Sequence, residues 1–135
     1  MIHFDTAFLI DLLRETSRDQ PGPAVAFMEA IDPGDVLGMS VHVLCELLVG
    51  AELSRKPSLE LQAIRRMSSA LQITYPDERF APAYGKLQAS LQRDGRLIGT
   101  MDLLIATVAI LDGAPLVTRN VKDFSRVPGL TVRSY

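Results

Sequence analysis

The amino-acid sequence predicts an α/β fold, a three-layer α/β/α sandwich around a central, mainly parallel sheet. Short apolar segments with strand character alternate along the chain with longer segments of helical periodicity, the order typical of such folds. The candidate core strands are short and apolar, as a sheet that is covered on both faces requires. The 135 residues, of which 47% are hydrophobic and 22% charged, suit one domain with one core. We therefore expect a single domain over residues 1–135.

The first half of the chain is predicted to hold two strands and three helices. In chain order we expect a strand at 2–4, helices at 6–14 and 24–31, a strand at 36–41 and a helix at 42–53. The first helix has apolar residues at positions 8, 9, 12 and 13, which form one face of a helix. The segments PGP at 21–23 and DPGD at 32–35 carry turn chemistry and separate these elements.

The second half continues the alternation. We expect helices at 56–71, 76–93 and 100–111, strands at 72–75, 115–118 and 130–133, and a short turn or helix at 121–124. Gly113 follows the third of these helices and readily takes the left-handed conformation that ends a helix. In open α/β sheets the functional site lies beyond the carboxyl ends of the strands. Asp5 and Thr118 are predicted to lie at such ends.

Composition narrows the classes of function. The net charge of −2 gives no global basic field for nucleic acid, although a local patch of arginines can serve instead. The longest nearly apolar run, at 103–111, is far shorter than the roughly 20 residues that span a bilayer. Cys45 is the only cysteine, so no internal disulfide forms, and we expect it to be an inert buried thiol. These features predict a soluble, cytoplasmic protein.

Asp102 raises the main functional question, because it is the one charged residue of the stretch TMDLLIATVAIL at 100–111. The helix dipole favours an acid in a first turn by about 0.3–1 kcal/mol. A helix that is apolar almost all round should nevertheless lie in the interior. A buried charge without a partner costs more than the dipole contributes. We therefore expect a cationic group to face Asp102.

Three other acids each allow a structural and a functional interpretation. Asp5 follows the first strand and could simply cap the next helix. Glu46 lies to one side of the apolar stripe of its helix and could be a solvated flank, although its neighbours carry no charge. Asp123 could be a surface acid beside Lys122.

The functional interpretation gains weight if these acids converge. Two like charges about 4 Å apart repel by ~4 kcal/mol at an effective dielectric of about 20, so such a cluster needs protons or a cation. The chain has no cysteine–histidine set for zinc. Oxygen-only ligands suit Mg²⁺ or Mn²⁺, which activate water and neutralise charge on a phosphodiester.

Four segments resemble the PIN-domain ribonucleases, and most closely the VapC toxins of bacterial toxin–antitoxin pairs. The segments are DTAFLIDLLR at 5–14, CELLVGA at 45–51, IGTMDLLIATVAI at 98–110 and LVTRNVKDFSRVPGL at 116–130. They occur in the order and spacing of that family and extend the resemblance over the whole chain. Each is weakly specific alone, but the four together are specific. The resemblance implies a small α/β/α sandwich with a parallel sheet.

The resemblance also implies the site residues. Asp5, Glu46 and Asp102 would be the first three acids of a metal site, with Asp5 and Asp102 as the principal Mg²⁺ ligands. Glu46 would orient or polarise water or hold a second ion, and Thr118 would be a supporting hydroxyl. Many PIN domains carry the fourth acid directly after a Thr-x pair.

This chain departs from that pattern, because it has Asn120 where those domains have the fourth acid. Others in the family keep an asparagine there and carry an acid three residues later. We therefore assign the fourth charge to Asp123 and an auxiliary role to Asn120.

The resulting hypothesis is metal-dependent endonucleolytic cleavage of single-stranded or loop RNA, with in-line attack of water on phosphorus. The resemblance implies products with 5′-phosphate and 3′-hydroxyl ends. Candidates for holding phosphates, each of which could equally be solvated surface, are Arg14, Arg93, Arg96 and Arg119. The resemblance further implies a cognate antitoxin, often with a basic side chain that reaches the acidic pocket. The leucines and isoleucines of the early helices permit a homodimer face.

Two other functions fit parts of the sequence. A receiver-like signalling domain would accept a phosphoryl group at an acidic pocket, and the length and the α/β alternation fit it. That class needs a central strand that ends in the acceptor aspartate, and the middle strand candidates end at Val41 and Tyr75. A binding module without catalysis would use the acids only to cap helices, and divalent cations would then leave its melting temperature unchanged.

Overall fold

The fold is organised by a five-stranded sheet in which every pair of neighbouring strands is parallel. It is seen in a computed structural model that describes residues 1–135. The strands are β1 (Ile2–Phe4), β2 (Leu37–Ser40), β3 (Gln72–Thr74), β4 (Leu116–Val117) and β5 (Val132–Arg133). The predicted α/β sandwich is confirmed, and its sheet is wholly parallel.

Seven helices connect and flank the strands. They are α1 (Thr6–Ser17), α2 (Pro23–Ala30), α3 (Val41–Glu52), α4 (Pro57–Ser68), α5 (Phe80–Arg93), α6 (Thr100–Leu111) and α7 (Val121–Phe124). The main difference from the sequence prediction is that α5 begins at Phe80 rather than at Pro76. The Asp77 carboxylate accepts the backbone N–H of Arg79 at 2.9 Å, so the segment between them forms a local turn instead of a helical one.

The strand order is β3-β2-β1-β4-β5, and it determines where the sheet forms a crevice for ligands. The chain builds outward from β1 through β2 to β3, then returns to the other side of β1 to add β4 and β5. The direction of winding therefore changes between β1 and β4. A crevice opens beyond the carboxyl ends of the strands at such a switch point, and ligands of open α/β sheets bind there.

Helix α6 lies in the interior, as its apolar composition predicts. Buried side chains occur on all its faces, at Leu103, Ile105, Ala106, Thr107, Val108 and Ala109. The buried hydroxyl of Thr107 is accommodated because it donates to the carbonyl of Leu103 at 2.6 Å. Because the residues that follow Asp102 are packed in the core, the backbone of Asp102 is held in a fixed position.

One expectation about a single residue is wrong. Cys45 is exposed, because α3 buries the 43/47/51 stripe and turns Cys45 away from it. His3, in β1, is a polar residue of the core. It is fully buried, and its Nε2 lies 2.7 Å from Oδ2 of Asp112, which also accepts the hydroxyl of Thr74 at 2.8 Å. No helix of the chain combines the length and apolar character needed to cross a bilayer.

Candidate active site at the carboxyl edge of the sheet

Asp5 is the first residue after β1 and is 4% exposed. Its Oδ1 accepts the backbone N–H of Phe8 at 2.8 Å, so the proposed N-cap role is real. The cap uses one oxygen lone pair and leaves the rest of the carboxylate for other partners. Burial raises the pKa of Asp5, against the smaller lowering effects of the hydrogen bonds from Thr118 and Phe8 and of the charge of Arg119.

Thr118 is the corresponding residue after β4, and it is fully buried. Its hydroxyl hydrogen-bonds to the Asp5 carboxylate, and its oxygen accepts the backbone N–H of Asn120 at 2.9 Å. Strands β1 and β4 are neighbours, so their carboxyl ends bring Asp5 and Thr118 together at the switch point. The structure thus unites two residues that are 113 positions apart in the sequence.

Asp102 lies in the first turn of α6 and is half-buried. The pKa of its carboxyl is raised, first by burial and then by the negative charges of Glu46, Asp5 and Asp123. Asp102 forms no ion pair with a lysine, arginine or histidine, so the cationic group expected to face it is not one of the protein's own side chains. Its charged neighbours are the other three acids of the predicted set.

Glu46 reaches the same region from α3. Its Oε1 accepts the hydroxyl of Thr6 at 2.6 Å, which ties α3 to the first residue of α1, directly after Asp5. This contact orients the carboxylate and leaves the second oxygen without a protein partner. The interpretation of Glu46 as a free solvated flank is therefore wrong. Thr6 is a site residue that the sequence pattern did not reveal, although its place beside Asp5 was a signal.

Asp123 lies on α7, and Asn120 is the residue directly before that helix. The side-chain amide of Asn120 donates to Oδ2 of Asp123 at 3.1 Å, so Asn120 holds the acid in place. Arg126 lies 3.9 Å from the other oxygen and also donates to the carbonyl of Leu97 at 3.0 Å. Asp123 is thus the one acid of the four that forms an ion pair, and Arg126 is a further residue missed from the sequence.

The four acids Asp5, Glu46, Asp102 and Asp123, called the acidic cluster below, offer carboxylate oxygens only. No group of three or more histidine, cysteine, aspartate or glutamate side chains is already arranged so that it could hold one metal ion. The cluster is therefore an electrostatic grouping around Asp102 rather than a finished coordination sphere. Hard divalent cations that prefer oxygen ligands fit this donor set, and zinc, which prefers nitrogen and sulfur, does not.

Beside the acidic cluster lies a second polar group that the sequence did not reveal. Asp11 on α1 accepts Nη1 of Arg119 at 2.9 Å and the hydroxyl of Tyr135 at 2.7 Å. Of the other arginines considered for phosphate binding, Arg14 lies 3.9 Å from Asp11. Arg93 and Arg96 form no ion pair. Tyr135 ends the chain, far in sequence from its partners, so no local pattern pointed to it.

A large cavity of the molecule lies away from the acidic cluster. It is a groove of about 650 Å³ between α1, α2 and α4. Its walls are mainly apolar and include Leu12, Leu13, Met28 and Met67, with Arg66 at the side. A groove of this kind accommodates an apolar face rather than a phosphate.

Comparisons with known proteins agree with this architecture. The PIN-domain family model matches residues 2–130. Ribonuclease VapC1 of Haemophilus influenzae (strain R2866) is 33% identical over 126 residues, 93% of this chain and 91% of that protein. The tRNA(fMet)-specific endonuclease VapC of Salmonella typhimurium is 34% identical over 97 residues, 72% of this chain and 74% of that protein. The crystal structure of VapBC2 from Rickettsia felis bound to a DNA fragment from their promoter has a TM-score of 0.88 and 29% identity, covering 100% of this chain and 99% of that one.

Proposed function

This chain belongs to the PIN-domain family, and we propose from that premise that it is a metal-dependent endoribonuclease, the toxin of a toxin–antitoxin pair. The observation that carries the proposal is the gathering of three further acids around Asp102 at the switch point of the sheet. Similarity to VapC ribonucleases over nine tenths of the chain supports the reaction. The receiver-like alternative is not favoured, because receiver sheets have the strand order 2-1-3-4-5 and this sheet has 3-2-1-4-5.

We assign the principal metal contacts to Asp5 and Asp102. Asp5 follows strand β1, and Asp102 lies in the first turn of the buried helix α6. The ion is Mg²⁺ or Mn²⁺, since all candidate ligands are carboxylate oxygens. When bound, such an ion lowers the pKa of water and stabilises the negative charge that develops on the phosphodiester. It would also relieve the repulsion that raises the pKa of Asp102.

The protein's own groups set the geometry of the reaction. Phe8 N–H and Thr118 fix the orientation of the Asp5 carboxylate, and its remaining lone pairs are available to a metal ion. Thr6 holds Glu46 by one oxygen, and we assign to the other the orientation of the attacking water. Asn120 holds Asp123, which supplies the fourth charge. Attack in line with the leaving 3′-oxygen would yield 5′-phosphate and 3′-hydroxyl ends.

The experiment is cleavage of RNA by the purified protein, with and without Mg²⁺ or Mn²⁺. We expect Asp5→Asn and Asp102→Asn each to lower the rate by more than about 100-fold, because even groups behind the metal ligands affect activity by about 10–100-fold. Asp77→Asn, at an exposed ion pair outside the cluster, is the matched control and should retain the rate. Wild-type turnover in both cluster variants would overturn the assignment.

The substrates to compare are tRNAs and unstructured RNA. The relative from Salmonella typhimurium is named as specific for tRNA(fMet), so initiator tRNA is the first candidate. Sequencing of newly formed 5′ ends after controlled expression would identify the cleaved site. Acting on cellular RNA, the toxin would work in the cytoplasm.

The proposed partner is a cognate antitoxin, and the mainly apolar groove between α1, α2 and α4 is its proposed docking site. The groove is large enough for the apolar face of a helix, and Arg66 beside it suits an acidic group on the partner. Met28→Glu should weaken co-purification with the antitoxin and leave RNA cleavage by the isolated toxin unchanged. Unchanged co-purification would remove the groove from the interface.

We also propose a homodimer through the outer face of α3. Leu48 and Val49 on that face are 37% and 58% exposed, beside the exposed Cys45, and Leu53, directly after the helix, is 82% exposed. An apolar stripe of this kind on a helix favours association with a second copy. Val49→Asp should convert the dimer to a monomer in light scattering. A wild-type protein that is monomeric at all concentrations would exclude this interface.

A further inference from the structure

The second polar group at the carboxyl edge, formed by Asp11, Arg119 and Tyr135, is built more firmly than a surface ion pair. The Asp11 side chain is only 18% exposed and accepts three hydrogen bonds, two from Nη1 of Arg119 and one from the hydroxyl of Tyr135. The Tyr135 ring packs edge-on against Phe8, with ring centroids 4.7 Å apart. Phe8 is fully buried and also supplies the backbone N–H that caps Asp5.

Arg119 stands directly beside the acidic cluster. It follows Thr118, whose hydroxyl holds Asp5, and its positive charge acts on the Asp5 carboxyl. The Arg119 side chain is nevertheless 58% exposed. Only Nη1 has a partner in the protein, so the other N–H groups of the guanidinium remain available for hydrogen bonds.

We propose that Arg119 binds a phosphate of the RNA substrate next to the scissile bond, and that Asp11 and the C-terminal Tyr135 are positioning residues that fix its guanidinium. This inference rests on the proposed ribonuclease function. A planar guanidinium anchored at one nitrogen presents its remaining donors in a fixed direction, which suits phosphate oxygens. Anchoring also lowers the entropy that a long side chain loses when it binds. Arg14, 61% exposed and 3.9 Å from Asp11, lacks such an anchor.

The first test measures binding and does not depend on turnover. We compare wild type, Arg119→Gln and Arg119→Lys for affinity to a fluorescent single-stranded RNA across a range of salt concentrations. Arg119→Gln should weaken binding about 10-fold and lower the slope of log affinity against log salt by about 0.7, the contribution of one phosphate contact on a single strand. Arg119→Lys should retain the slope and lose part of the affinity. An unchanged affinity and slope in Arg119→Gln would overturn the inference.

The second test separates positioning from general structure. Asp11→Asn and Tyr135→Phe should raise KM for RNA about 3–10-fold with little change in kcat. In the Arg119→Gln background both substitutions should have no further effect, because their action passes through Arg119. Additive losses would show a merely structural role for Asp11 and Tyr135 and would exclude the positioning part.

Two controls keep this inference distinct from the proposed function. Arg79→Gln breaks an ion pair of the same length and similar exposure, since Arg79 is 56% exposed and lies 2.9 Å from Asp77, and it should change neither KM nor the salt slope. The rise in melting temperature with Mn²⁺ should persist in Arg119→Gln, because Arg119 carries no metal ligand. A wild type that binds RNA through Arg119 without cleaving it would overturn the ribonuclease proposal and retain this one.

Discussion

Two clusters of polar side chains in this fold differ in how their carboxylates are paired. The cluster of His3, Asp112 and Thr74, called the paired cluster below, satisfies its carboxylate with two short hydrogen bonds, at 2.7 and 2.8 Å. The acidic cluster gathers three further carboxylates around that of Asp102, and only Asp123 forms an ion pair with a basic side chain. Burial of a charge is costly unless it is paired. The paired cluster therefore stabilises the fold, whereas the acidic cluster lowers its stability in a way that a bound cation would reverse.

The largest effect on folding should come from breaking the paired cluster. His3→Ala removes the partner of a mostly buried carboxylate and leaves a cavity, so we expect a loss of about 2–4 kcal/mol in the free energy of unfolding. Chemical denaturation measures it. His42→Ala is the control, because His42 forms no side-chain hydrogen bond and only stacks on Phe80. An equal loss in both variants would show that the hydrogen bond to Asp112 contributes nothing.

Divalent cations should stabilise the protein through the acidic cluster and not through the paired cluster. At 100 times its Kd, a divalent ion that binds only the folded protein adds about 2.7 kcal/mol of stability. We expect Mg²⁺ or Mn²⁺ to raise the melting temperature of wild type and of His3→Ala alike, and to leave that of Asp102→Asn unchanged. A gain retained in Asp102→Asn would place the bound ion elsewhere.

The same substitution in the two clusters should have opposite signs in the absence of metal. Asp102→Asn removes a repelled, partly desolvated charge, and we expect the melting temperature to rise by about 2–4 °C. Asp112→Asn removes a charge that is hydrogen-bonded by His3 and Thr74, and the melting temperature should fall. Calorimetry in chelator measures both, and a fall in both variants would contradict the contrast.

The smallest expected effect is on the pH dependence of the free energy of unfolding, to which the two clusters contribute with opposite signs. Burial raises the pKa of Asp5 and Asp102 above 3.8, so the stability that their neutral forms contribute is complete below pH 3.8 and is lost as pH rises through the raised values. Burial lowers the pKa of His3 below 6.5, despite the raising effect of Asp112. Its contribution is complete above pH 6.5 and is lost as pH falls through the lowered value.

Single substitutions show which residue causes each part of the pH dependence of the free energy of unfolding. In metal-free protein, Asp102→Asn should flatten the decline in the free energy of unfolding as pH rises from 3.8. His3→Gln should flatten the decline as pH falls below 6.5. Denaturation curves at successive pH values measure both. A pH profile unchanged in both variants would show that other groups set it.

Most secondary-structure elements were predictable, and so was the interior position of α6. Their periodicity is local, and turn signals such as Gly113, which has a φ of 63°, end them locally. The four acids were predictable as a set only through the family resemblance, since each has an ordinary structural role when taken alone. Asp5 in fact performs its structural role as well, capping α1 with one oxygen.

Errors arose where a residue's environment depends on distant elements. Cys45 lies in an apolar run but faces outward, because a helix buries one stripe and α3 buries the one through Val43, Leu47 and Ala51. The surroundings of His3 also depend on a distant element, because the end of α6 places Asp112, 109 positions away, 2.7 Å from its Nε2.

The sequence by itself determined the alternation of strands and helices, the buried character of α6 and the identity of the candidate acids, because these follow from composition and from contacts within a few residues. The tertiary structure alone decided which charges meet. By placing β4 beside β1, it brings Thr118 to Asp5, Arg119 to Asp11 and three acids to Asp102. Electrostatic energy depends on the distance between charges in space, and only the order of the strands fixes that distance for residues a hundred positions apart.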